Sequence, residues 1–89
     1  MWKTTITAPI GYTDDQISQL MTKWAEMTDA GTLSEENPPC EVESDPFLAN
    51  CTTIRHFMTE DEADLWKTTI DSMGVMPEGY TYLKEEVPD

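Results

Sequence analysis

Two helix starts of the same form, each preceded by a β-prone run, constrain the fold of this chain most. Thr13-Asp14-Asp15-Gln16 and Thr59-Glu60-Asp61-Glu62 both read as capping boxes, in which threonine and the fourth residue satisfy each other's backbone amides. Apolar residues at helical spacing follow each box, and Gly31 and Gly74 follow the stripes as end signals. The pattern predicts one helix over residues 14–29 and a second from residue 60 to Gly74.

Three runs rich in threonine, aromatic and β-branched residues predict strands over 2–8, 51–58 and 80–85. In the first run, strict alternation places Trp2, Thr4, Ile6 and Ala8 on one face, and Pro9 ends the ladder. Residues 32–50 contain proline breaks and no clear periodicity. Because a bare loop of that length is uncommon in a compact domain, we predict a short edge strand near 40–44.

The resulting order is βαββαβ, the pattern of ferredoxin-like folds, in which two helices pack on one face of a small antiparallel sheet. If residues 40–44 form no strand, the chain is an α+β protein of order βαβαβ with a long acidic loop. In either arrangement the 89 residues form a single domain, with an acidic region over 32–50 and a tail over 86–89.

The charge restricts the partners, because 18 acidic side chains against five basic ones give a formal net charge of −13. Such a surface repels nucleic-acid phosphates and anionic membranes, and it attracts cations or basic protein surfaces. The chain has no stretch of membrane-spanning length and no export signal at its start. We therefore expect a cytoplasmic protein whose two cysteines are reduced.

Eight carboxylates are candidates for binding a basic partner: Glu35, Glu36, Glu41, Glu43, Asp45, Glu60, Asp61 and Asp64. The alternative explanation is structural. Acidic residues stabilise the positive end of a helix, and charged residues on an edge strand resist sheet-to-sheet pairing. The helix dipole accounts for the acids of the second capping box. The helix dipole does not explain the acidic block from Glu35 to Asp45, which contains no basic residue.

No catalytic residue, metal site or cofactor is predicted. His56 is the single histidine, and in a 51–58 strand it faces the side of the sheet opposite to Cys51. A hairpin of 40–44 with 51–55 would place Cys40 opposite Arg55, about 13 Å from Cys51, too far for a disulfide. Zinc would need both cysteines, His56 and a carboxylate at no recognised spacing.

The segment from Thr53 to Gly74 resembles small uncharacterised phage-encoded α/β proteins. The shared pattern is a strand with Arg55 and Phe57 that runs into Thr59-Glu60-Asp61-Glu62-Ala63 and Trp66 on a helix. This resemblance implies a viral protein that acts on host machinery, or a component of the virion. It implies no enzymatic activity.

Three functions follow as hypotheses. The first is a small non-enzymatic interaction protein, such as a phage host-takeover inhibitor or a nucleic-acid mimic that binds a basic protein surface. The second is a ferredoxin-like homodimer, an enzyme or ligand sensor, with a small-molecule pocket between helices and sheet. Six residues would line that pocket: Trp24, Trp66, Phe57, Tyr80, Tyr82 and His56. The third is a virion structural or decoration protein.

Overall fold

A computed structural model describes residues 1–33, 41–42 and 45–88, with only the backbone described at 41 and 42. Its elements are β1 (Trp2–Ala8), α1 (Asp14–Asp29), β2 (Glu41–Val42), β3 (Cys51–Phe57), α2 (Glu60–Met73) and β4 (Thr81–Glu86). The predicted order is therefore confirmed, including a strand within 40–44. The last strand begins and ends one residue later than predicted.

The four strands form one antiparallel sheet in the order β2-β3-β1-β4. The first strand lies in the middle, where Thr4 is opposite Arg55 on one side and Lys84 on the other. At the edge, Glu41 pairs with Ile54, the register that the predicted hairpin requires. This is the ferredoxin-like α+β fold, and the βαβαβ alternative is wrong because β2 pairs with β3.

Both helices begin where the threonine signals predict. The Thr13 hydroxyl accepts from the Gln16 amide at 3.2 Å, and the Gln16 side chain accepts from the Thr13 amide at 2.8 Å. At the second helix, the Thr59 hydroxyl accepts from the Glu62 amide at 3.2 Å. Each cap satisfies backbone donors that a helix leaves without an internal partner.

The two helices contribute unequally to the core. Helix α2 buries Ala63, Trp66 and Ile70 against Ile6 and Phe57 of the sheet. Helix α1 buries only Met27. The rest of its predicted apolar stripe is half-buried or exposed, and it consists of Ile17, Leu20, Met21 and Trp24. The stripe is on the expected face, but a cavity separates much of it from the sheet.

Within the three described ranges, no helix has the length and apolar character needed to cross a membrane.

Candidate functional site

A cavity with a volume of about 530 Å³ lies between α1, α2 and the inner face of the sheet. Its wall is largely apolar and aromatic. The lining residues are Ile6, Tyr12, Ile17, Leu20, Met21, Trp24, Ala25, Pro46, Thr53, Arg55, Trp66, Ile70 and Met76. Five of them come from α1, and four of these five are the half-buried or exposed residues of its apolar stripe. The cavity thus lies between the apolar stripe of α1 and the inner face of the sheet.

Trp24 joins the α1 wall to the remainder of the core. Its ring meets Trp66 edge-on, with 5.0 Å between centroids and 89° between the planes. It also contacts Phe57 at 5.7 Å and 64°. Edge-to-face aromatic pairs of this kind hold both rings in fixed orientations. The aromatic part of the wall is therefore well defined even though α1 is incompletely packed.

Arg55 is the basic side chain that faces into the cavity. On β3 it lies in phase with Cys51 and Phe57, both fully buried on the inner face. Its guanidinium carbon lies 3.6 Å from the centroid of the Trp24 ring and 5.6 Å from that of Trp66. Arginine stacks well on aromatic faces because its planar cation is weakly hydrated.

A buried threonine fixes the backbone beneath this arginine. Thr4 is directly opposite Arg55 in the sheet and is completely buried. Its hydroxyl donates to the Arg55 carbonyl at 2.8 Å. A buried hydroxyl without a hydrogen-bond partner is costly, so this bond stabilises the pairing of Thr4 with Arg55. It thereby fixes the backbone position from which the Arg55 side chain extends.

One end of the cavity is closed by two turns that pack against each other. The Tyr12 amide donates to the Pro46 carbonyl at 2.7 Å, and both residues line the cavity. A second hydrogen bond joins the same two turns, because the Asn50 amide donates to the Pro9 carbonyl at 3.1 Å.

The predicted pocket is in the right place, but its lining is only partly as expected. Trp24 and Trp66 line the cavity, whereas Phe57 is buried in the core and Tyr80 and Tyr82 pack against the core's edge. His56 is wrong as a lining residue. It alternates with Arg55 and Phe57 along β3, so it faces the opposite side of the sheet, where it is half-buried.

Arg55 is a charged cavity residue that the sequence prediction overlooked. A signal for it was present, because the alternation of β3 puts a charged residue in the same phase as Cys51 and Phe57. An arginine on the inward face of a strand is unusual, because charged side chains are seldom buried. Such an arginine needs an aromatic ring to stack on or an anionic group.

The lysines all lie in ion pairs outside the cavity. Lys3 meets Glu85 and Lys23 meets Glu26, each at 3.8 Å, and Lys67 meets Asp71 at 2.7 Å. The Lys84 ammonium lies 2.6 Å from Asp64 and 3.2 Å from Glu60 and so joins β4 to α2. Hydrogen bonding to the Asp64 carboxylate raises the pKa of Lys84.

The candidate partner-binding carboxylates therefore have several different environments. Glu60 and Asp64 share Lys84, the Asp45 carboxylate accepts from the Phe47 amide at 2.9 Å, and Asp61 is exposed on α2. Glu41 is described only as a backbone position of β2. The other three, Glu35, Glu36 and Glu43, lie outside the described residues. A basic partner for this set remains a prediction.

No family model and no curated protein matches this sequence. Among solved structures, the chain is similar to an antibiotic biosynthesis monooxygenase, with a TM-score of 0.52, 9% identity and full coverage of both chains. It is also similar to a MhuD variant with two manganese protoporphyrin IX molecules bound per active site, with a TM-score of 0.49 and 12% identity. That match covers 98% of this chain and 94% of the other. At such identities, the first likeness shows the shared ferredoxin-like fold alone.

Proposed function

We propose that this protein binds a small, largely apolar molecule with a ring system in the cavity between α1 and the sheet. The observation that carries the proposal is the cavity itself, about 530 Å³ with a predominantly apolar and aromatic wall. Ligand sites in proteins are typically concave, have volumes of roughly 300 to 1,000 Å³ and carry a few polar groups on an apolar lining.

The incomplete packing of α1 supports this function physically. Its apolar stripe lines the cavity with Met21, which is 67% exposed, and with Trp24, which is half-buried. Each Å² of apolar surface removed from water stabilises a complex by about 25 cal/mol. A ligand that fills the cavity would cover that stripe, and the edge-on Trp24 and Trp66 rings offer a flat molecule defined surfaces for stacking.

Fluorescence titration with phenylnaphthylamine, a neutral dye that emits strongly in apolar sites, tests the proposal. Ala25 is exposed on α1 and lines the cavity, so Ala25→Trp places an indole in the binding space without disturbing the buried core. We expect the wild type to bind the dye saturably and Ala25→Trp to bind it at least about tenfold more weakly, the loss that follows from about 1.4 kcal/mol.

Ser18→Trp is the matched control, because Ser18 is exposed on α1 and is not part of the cavity lining. It adds the same side chain to the same helix and should leave dye affinity unchanged. Equal affinities for all three proteins would place the dye elsewhere and contradict the proposal, as would an absence of saturable binding to the wild type.

The proposal concerns binding and not turnover. The neighbour named as an antibiotic biosynthesis monooxygenase shares the fold with this chain, and its activity is not carried over at 9% identity. An enzyme, a ligand sensor or a carrier would each have to bind a ligand in the cavity before it could act. Dye displacement by candidate small molecules therefore precedes any assay of oxidation.

A further inference from the structure

We propose that the Thr53 hydroxyl selects for a carbonyl group on the ligand, so that the cavity binds a ring-bearing ketone or ester. This inference rests on the proposed ligand-binding function and adds the chemical class of the ligand. It depends on where the hydroxyl lies, on how firmly it is held and on how much of its hydrogen-bonding capacity the protein already uses.

The place of Thr53 in the sheet brings its side chain to the cavity. Thr53 lies on β3 in phase with Cys51 and Phe57, both completely buried on the inner face, and it lines the cavity. Most of the other lining residues are apolar or aromatic. Tyr12 and Arg55 also bring polar groups to this wall, but both already interact with other groups of the protein. A ligand in the cavity therefore meets the Thr53 hydroxyl as a polar group on a mainly apolar surface.

The Thr53 side chain is held in a defined position. Its residue is paired with Ile6 of β1 on one side and with Val42 of β2 on the other, so the backbone cannot shift without breaking the sheet. Threonine branches at Cβ, which restricts rotation about χ1. A hydrogen bond from a ligand to this hydroxyl therefore costs less side-chain entropy than a bond to a long, flexible side chain.

Most of the hydrogen-bonding capacity of this hydroxyl remains for a ligand. Within the described residues, its polar neighbour is the Cys51 Sγ atom, 3.9 Å away. Thiol sulfur is a weak donor and a weak acceptor, whereas a threonine hydroxyl has one donor and two acceptor lone pairs. A ligand carbonyl oxygen would offer the Thr53 O–H a stronger acceptor than the sulfur.

The apolar wall around Thr53 favours a carbonyl over an alcohol. A carbonyl oxygen needs only a donor, which Thr53 supplies. An alcohol brings an O–H of its own, which would also need a partner on a wall that consists mainly of apolar side chains. The ligand group that this site satisfies most completely is therefore a ketone or ester carbonyl.

Two competitors of the same shape test the inference. Acetonaphthone carries a ketone, and isopropenylnaphthalene has a CH2 group in place of the carbonyl oxygen. Each is titrated against bound phenylnaphthylamine, and the measured quantity is the ratio of their dissociation constants for each protein. Thr53→Val keeps the shape of the side chain and removes the hydroxyl. We expect it to lower the preference of the wild type for the ketone by about threefold to tenfold, the value of one neutral hydrogen bond.

Thr52→Val is the matched control, because Thr52 is the adjacent threonine on β3, faces the opposite side of the sheet and is not part of the described cavity lining. It should leave the ratio of dissociation constants unchanged. Thr53→Ser retains the hydroxyl and should retain most of the preference. A ratio that Thr53→Val leaves unchanged would overturn the proposal, and so would an equal fall with Thr52→Val.

A measurement on the wild type alone avoids any dependence on the folding of variants. A hydrogen bond to a ketone weakens its C=O bond and lowers the infrared stretching frequency. We expect bound acetonaphthone to absorb at a lower frequency than acetonaphthone in hexane. A frequency equal to that in hexane would overturn the carbonyl preference and leave the proposed binding function intact. If phenylnaphthylamine does not bind the wild type, the proposed function fails and this inference fails with it.

Discussion

At the scale of single residues, Tyr82 shows how the sheet is attached to α2. Its hydroxyl donates to the Ala63 carbonyl at 2.8 Å, which joins β4 to the helix that carries most of the core. Burial raises the pKa of Tyr82 to about 12. The native state thus favours the protonated phenol, because burial penalises the charged phenolate.

The substitution Tyr82→Phe tests this linkage through its pH dependence. Near neutral pH we expect the variant to lose about 1 kcal/mol of unfolding free energy, the net value of one hydrogen bond. A raised native pKa gives stability that is fully present below the unfolded-state pKa of about 10. That stability is lost as the pH rises to about 12.

Urea denaturation of both proteins measures the effect. Below pH 10 the wild type should be the more stable, and the difference should narrow as the pH approaches 12. A difference that stays constant over this range would contradict the role assigned to the phenol. Because every other tyrosine is common to both proteins, their titration cancels in the comparison.

At the scale of elements, local signals were sufficient to predict most of the fold. Thr13 and Thr59 cap the helices by bonds to residues three positions away, and Pro9 ends β1 by itself. Such signals act within a few residues, so a sequence reveals them directly. The pairing of Glu41 with Ile54 was also predictable, because short antiparallel connections leave few registers.

The cavity was only partly predictable, because the height of a helix above a sheet is a tertiary property. The stripe containing Leu20 and Trp24 indicates which face of α1 is apolar, but it does not tell whether side chains or empty space lie beneath it. Trp24 and Trp66 were predicted as lining on size alone. The alternation of side chains along β3 decides which face of the sheet His56 and Arg55 lie on. The sequence prediction used this alternation to place His56 on the face opposite to Cys51. It did not use it to choose the residues that line the pocket.

The two turns that close the cavity make a prediction at the same scale. Gly11 has φ of +74°, and a Cβ there would lie 2.6 Å from the Leu48 carbonyl oxygen and 2.9 Å from that of Phe47. Both contacts are with backbone, so one of the turns would have to move. Gly74 has φ of +68° with nothing within 4 Å of such a Cβ, which makes it the matched control.

We therefore expect Gly74→Ala to cost about 1 kcal/mol of unfolding free energy, the price of a left-handed alanine. Gly11→Ala should cost about 2 to 4 kcal/mol, because steric overlap adds to the same backbone strain. It should also weaken dye binding, since the neighbouring Tyr12 and the bonded Pro46 line the cavity. Equal destabilisation by the two substitutions would show that the turns do not pack as described.

At the scale of the whole molecule, the two faces of the sheet differ. The inner face packs against the helices, whereas the outer face presents the alternate residues, among them Thr5, Thr7 and Leu83. Leu83 is 63% exposed on β4. A small domain gains stability by covering such a surface, and a twofold pairing of sheets would bring identical patches together. This surface is the physical basis for the homodimer hypothesis, which stays a prediction.

The net charge predicts how such a dimer should respond to salt. Each chain carries −13, so the two copies repel each other at long range, and screening this repulsion strengthens association. We expect light scattering with size-exclusion chromatography to give a dimer mass at high salt and a lower average mass at low salt. An interaction made by acidic surfaces with a basic partner would weaken with salt instead.

Leu83→Glu decides whether the outer face of the sheet forms the contact. It places two new carboxylates against each other across a twofold axis, and we expect a monomer at every salt concentration. Leu65→Glu is the control, because Leu65 is 38% exposed on α2 and belongs to neither face of the sheet. A wild type that is monomeric at all salt concentrations would contradict the homodimer. Dimers that both substitutions weaken equally would show a general effect of the added charge and would contradict the sheet as the contact.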